Sequence, residues 1–130
     1  MSDLQSWIKK ELTVDIEDEL AKYKDRVKDF IRLTPSGEVI LTRGNLTAKQ
    51  KILLYSIGKV YSKIAQFSNE ASVSNRELTE VLNLPEGTVK TSLFALRKEG
   101  FLIPQEPGVH KMKIARMGTA FERYFSEPEE

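Results

Sequence analysis

The chain has 130 residues, no cysteine, one histidine and a formal net charge of +1. That length bounds a single domain with an appended element and is enough to bury a real core. The missing cysteine excludes disulfide frameworks, thiolate metal sites and cysteine nucleophiles. The longest apolar runs, such as Ile52–Tyr55, are far too short to span a bilayer, and residues 1–12 lack a signal peptide's apolar core. A cytoplasmic chain with no membrane association is therefore expected.

Leu4, Trp7, Ile8 and Leu12 suit a short leading helix. From Asp15 the pattern sharpens: Ile16, Leu20, Tyr23, Val27 and Phe30 are spaced 4, 3, 4, 3 between dense charges. So short a seam cannot hold a coiled coil by itself. It must pack on the rest of the chain or on a second copy of itself. Thr34-Pro35-Ser36-Gly37 suits a type I turn, so residues 31–33 and 39–41 are read as a small β-hairpin. Arg43-Gly44-Asn45 is a linker.

Thr47 with Gln50 is a capping box. It opens a long helix through Leu53, Ile57, Val60 and Ile64, ending near Phe67-Ser68. Ser74 with Glu77 is a second box, with Val73 and Leu78 placed as a hydrophobic staple. The short helix that follows runs through Leu78, Val81 and Leu82 and stops at Asn83, a residue tolerant of left-handed backbone. Pro85 starts the next helix, whose inward face is Val89, Leu93 and Leu96, and Gly100 closes it. Phe101-Leu102-Ile103, a turn at Pro107-Gly108, and the alternating stretch from His110 to Ile114 make a second hairpin, with Lys111 and Lys113 on one side. Met117, Phe121, Tyr124 and Phe125 lie at helical spacing and read as core or oligomer contact. Residues 127–130 read as a frayed acidic tail.

Charge is unevenly spread. Six basic and eight acidic residues lie between Met1 and Phe30, seven and five between Ile31 and Gly87, six and two between Thr88 and Arg116, and one and four beyond. The positive excess falls on the helix after Pro85 and the hairpin behind it. A solvated basic face is the plain explanation; a surface for a polyanion is the functional one. No His-x-x-x-His, Cys-x-x-Cys, phosphate loop or nucleophile elbow occurs, and the carboxylates sit at charge-pair spacing on helices. No enzymatic activity, cofactor or metal is expected. His110 reads as a hairpin residue.

Two helices joined by a short turn, with a hairpin behind the second, resemble the winged helix-turn-helix regulators, including their MarR-like and ArsR-like branches. The residues that carry the likeness are Thr88-Val89, Leu93, Leu96, Gly100-Phe101-Leu102, and Ile114 to Gly118, over roughly 46–126. The resemblance implies a mainly α fold with a small β component, an α+β winged helix-turn-helix over 46–126. Residues 1–45 would be an N-terminal helical extension and hairpin used for dimerisation. It implies a homodimeric, sequence-specific double-stranded DNA-binding transcription regulator. By position, Thr88, Lys90, Thr91, Phe94 and Lys98 on the second helix would face DNA, with Ser74 and Arg76 on backbone and His110, Lys111 and Lys113 on the wing. Ile16, Leu20, Tyr23, Val27 and Phe30 would pair two copies. Phe94 departs from the polar residue usual there: it suits a thymine methyl, a protein partner, or cover by the N-terminal helix or a second subunit. The alternative function is therefore a protein-interaction module in transcription or replication machinery.

Overall fold

A computed structural model of the chain describes residues 3–13 and 16–125. Asp15, where the seam was expected to begin its helix, and the tail 127–130 lie outside the described residues. The chain is mixed α/β. Helix α1 (Asp3–Trp7) runs into a wider turn over Ile8–Leu12, followed by α2 (Ile16–Lys22), α3 (Lys24–Lys28), β1 (Ile31–Leu33) and β2 (Val39–Leu41). Then come α4 (Ala48–Ile64), β3 (Val73–Ser74), α5 (Asn75–Leu82), α6 (Glu86–Lys98), β4 (Leu102–Glu106), β5 (Val109–Met112), a 3₁₀ turn (Ile114–Arg116) and α7 (Met117–Tyr124). Among the described residues no helix is long and apolar enough to cross a membrane.

Helix α4 is the axis. Its capping box forms in full: the Gln50 N–H donates to Thr47 Oγ1 at 3.2 Å and the Thr47 N–H to Gln50 Oε1 at 2.8 Å. Ile52, Leu53, Leu54, Ile57 and Val60 are buried because α4 is covered from two sides, by the β1–β2 hairpin and by α6. The hairpin pairs Ile31 with Leu41 and Leu33 with Val39, its turn closed by Gly37 at φ +93°. It lies so close on α4 that a Cβ at Gly58 would sit 2.5 Å from Val39 Cγ1. Only glycine admits that approach.

The seam at 16–30 is an internal one, which corrects the expectation of dimerisation through it. Leu20, Val27 and Phe30 are buried, Phe30 against Phe125 with ring centroids 5.1 Å apart. Tyr23 stacks on Phe121 at 5.9 Å and lies directly over Gly118. The helix breaks at Tyr23, whose backbone leaves helical geometry (φ −105°, ψ 9°). On the two sides of that break α2 packs on the 3₁₀ turn and α3 on β1. The polar groups are used internally too: Arg26 Nη2 donates to the Phe125 carbonyl at 2.6 Å and the Tyr61 hydroxyl to that of Leu20. Ile16 alone of the five is exposed. The seam and β1–β2 share one buried cluster with α4 to α7.

The second layer is a three-stranded antiparallel sheet in the order β3–β5–β4. Ser74 Oγ caps α5 by accepting the Glu77 N–H at 3.0 Å, but Glu77 does not complete the expected box. Its carboxylate turns to α4, accepting the Tyr55 hydroxyl and lying 3.4 Å from Lys59 Nζ. Burial and that carboxylate push the Tyr55 phenol far above its usual range. Asn83 is left-handed as expected (φ 55°, ψ 47°). Helix α6 ends in a Schellman arrangement: the Phe101 N–H reaches the Leu96 carbonyl and the Gly100 N–H that of Arg97, with Gly100 at φ +84°. Helix α7 starts after Arg116, without a side-chain cap.

Candidate nucleic-acid interface

Helix α6 has an anchored side and an open side. Val89, Ser92, Leu93 and Leu96 are buried, whereas Gly87, Thr88, Lys90, Thr91, Phe94, Arg97 and Lys98 are exposed. The N-terminal segments pack on the 3₁₀ turn and α7, away from this surface. Phe94 is 63% exposed, so it is covered neither by the chain's own N-terminal arm nor by any other described segment. Near the start of α6, Lys90 Nζ lies 3.1 Å from Glu86 Oε1, both well exposed. Such a pair contributes little in water and yields readily to a stronger anion.

The β4–β5 hairpin is pinned beside α6. Gly108 turns it (φ +77°), and the Gly108 carbonyl accepts the Asn75 N–H at 2.9 Å, tying the hairpin tip to the start of α5. Successive strand residues face opposite ways. His110 and Met112 point inward, and Lys111 points to the other face of the sheet. There it lines a groove with Ile16, Val60, Ile64, Ala71 and Ile114. Lys113 is exposed beyond the end of β5.

The expected site residues therefore divide. Thr88, Lys90, Thr91, Phe94 and Lys98 share one surface. Lys111 does not join them. His110 is the clear correction: it is 2% exposed and lines the cleft beside α6, off the outer edge of the hairpin. Its Nε2 is 2.8 Å from Asn75 Oδ1, and Nδ1 has no hydrogen-bond partner among the described residues. Burial, and then the Arg97 charge, hold its pKa below the ordinary histidine value, so the ring is neutral at pH 7. Ser74 Oγ is committed to its cap, and Arg76 is exposed with Glu80 Oε1 at 2.9 Å.

Sequence reasoning passed over Arg97. It follows Lys90 by seven residues, two helical turns, and that spacing alone puts both cations on one face. Arg116 shows the opposite error. It counts toward the local basic excess but is spent internally, donating to the Glu99 carbonyl at 3.1 Å and lying 4.9 Å over the Phe101 ring. Lys90, Phe94, Arg97, Leu93, Asn75, Gly108 and His110 together line a cleft of about 290 Å³ between α6 and the hairpin. Asn75 carried no signal in the sequence, being one of the middle residues of the expected capping box.

No protein-family model, curated protein or solved structure matches the chain.

Proposed function

We propose that the chain from residue 46 onward is a winged helix-turn-helix domain that binds double-stranded DNA, with α6 as the helix that enters the major groove. The observation that carries the reading is the open face of α6, with Thr88, Lys90, Thr91, Arg97 and Lys98 uncovered beside a fixed hairpin. The element order α4–β3–α5–α6–β4–β5 and the strand order β3–β5–β4 support it. Thr88 and the α6 N-terminus meet a phosphate; Lys90 and Thr91 reach base edges; Arg97 and Lys98 lie along the backbone. Lys113 adds a cation at the hairpin, and Lys111 does not take part. The 16–30 seam is internal, so pairing of two copies through it is not part of the proposal.

Selection of bound duplexes from a random pool, with the stoichiometry measured on the selected site, tests the reading. Recovery of a shared site is expected, and Lys90→Ala and Thr91→Ala should change its sequence. Absence of duplex binding at low salt removes the proposal.

Phe94 favours a second reading, in which the same face docks a protein. A large exposed ring flanked by Pro104 and the aliphatic stems of Arg97 and Lys98 suits an interface core. Under it, Phe94→Lys abolishes capture of the partner and leaves DNA affinity equal or higher. Capture unaffected by the change counts against it.

A further inference from the structure

On α6 an aromatic ring stands between two cations. Lys90, Phe94 and Arg97 follow one another at +4 and +3, so they line up on one helix face. This row walls the cleft whose other side is Asn75, Gly108 and His110. At about 290 Å³ the cleft is near the lower end of small-ligand sites, which run roughly from 300 to 1,000 Å³. It suits a ligand of one or two rings.

Three features of the cleft each call for a part of that ligand. An open aromatic ring between cations is a stacking surface for a planar π-system, and bases of any sequence supply one. Arg97 and Lys90 attract an anionic group, the guanidinium with a geometry that matches phosphate. His110 supplies the third. Its Nε2 faces a carboxamide oxygen, which only accepts, so Nε2 carries the proton and Nδ1 is a bare acceptor. That acceptor is buried without a partner, a standing cost that an N–H donor would relieve. A planar heterocycle with N–H donors and an attached phosphate is a nucleotide.

We infer that the cleft between α6 and the β4–β5 hairpin holds one unpaired nucleotide, with its base on Phe94, a base N–H donating to His110 Nδ1, and its phosphate on Arg97 and Lys90. The inference rests on the reading of α6 as a nucleic-acid-facing helix and adds the unit that this face accepts. A base stacked inside a duplex offers no free face, so the site takes a free nucleoside monophosphate or a nucleotide turned out of a strand.

The single histidine makes the test direct, because the full chain gives one set of imidazole nitrogen signals. The ¹⁵N-histidine spectrum is followed as adenosine or thymidine monophosphate, an unpaired oligonucleotide, or inorganic phosphate is added. A saturable movement of the Nδ1 signal is expected with at least one mononucleotide or with the oligonucleotide. Binding at least tenfold tighter to the oligonucleotide identifies a strand-borne unit; equal binding identifies the free nucleotide. Phe94→Ala should weaken binding about tenfold or more, and Phe94→Trp should retain it; Phe94 is exposed, so neither change threatens folding. A silent Nδ1 with every nucleotide, or an equal response to phosphate alone, overturns the inference. Duplex binding with a silent Nδ1 leaves the broader DNA reading intact, whereas a mononucleotide response without duplex binding retains this site and removes that reading.

Discussion

Two regions of this chain carry nearly the same apolar rhythm and end in opposite roles. Residues 16–30 place Leu20, Tyr23, Val27 and Phe30 at +3, +4 and +3, and α6 places Val89, Leu93 and Leu96 at +4 and +3. Both bury that stripe. They differ in what happens to the rest of the surface. Around the first seam the polar groups find partners within the chain, Arg26 on the Phe125 carbonyl and Tyr61 on that of Leu20. On α6, Thr88, Thr91 and Lys98 face solvent, and Lys90 lies beside an exposed carboxylate one turn away. A stripe says that a helix is anchored. Whether the helix also presents a surface depends on where its polar residues are spent.

The comparison breaks most visibly if the first seam pairs two copies after all. Phe30→Ala should cost about 3–5 kcal/mol, as for other buried aromatics, and the urea midpoint should not change with protein concentration. A midpoint that rises with concentration would return the seam to an intermolecular role. Gly58→Ala tests the hairpin's approach to α4. Overpacking against Val39 should cost about 1–3 kcal/mol, and chemical denaturation at unchanged slope would show it.

The open region is sharpened through binding. Each of Arg97→Ala and Lys98→Ala should lower the salt dependence of duplex binding by about one counterion, a slope change near 0.9. Lys111→Ala should leave it unchanged, because that residue faces the other side of the sheet. An equal loss at Lys111 would place the polyanion elsewhere. His110 tests the boundary between open and closed. Burial and Arg97 lower its pKa, so below about pH 6.5 the unfolded chain takes a proton that the folded chain refuses. Its stability contribution is complete above that pH and falls with acidification, by at most about 1.4 kcal/mol per pH unit. His110→Gln should flatten that part of the stability profile between pH 7.5 and 5.5 (a range set by the ordinary histidine value of about 6.5). Smallest is Glu86→Gln. It should raise duplex affinity a few-fold by freeing Lys90 and change stability by about 0.5 kcal/mol or less.

Local signals in the sequence were reliable where the chemistry was local. The Thr47–Gln50 box, the left-handed Asn83, the start at Pro85 and the closing Gly100 each depend on residues within a turn or two of one another. The Ser74–Glu77 box failed by half because Tyr55 and Lys59, some twenty residues earlier, offered Glu77 a better partner. His110 was misplaced for a related reason. Alternation in a strand separates two faces but does not say which one is covered, and the burial of Met112 beside it decides that.

The amino-acid order alone determined where α4 begins, where α5 and α6 begin and end, which side of each is apolar, and where positive charge gathers, because caps, turns and periodicity act over a few residues. The fold decided the rest. It turned the 16–30 seam inward, directed Lys111 away from α6, spent Arg116 on Glu99 and Phe101, and brought Asn75, Arg97 and His110 to one cleft. These outcomes depend on which surfaces meet across dozens of residues, and packing sets them through the total area buried, which no short window of sequence contains.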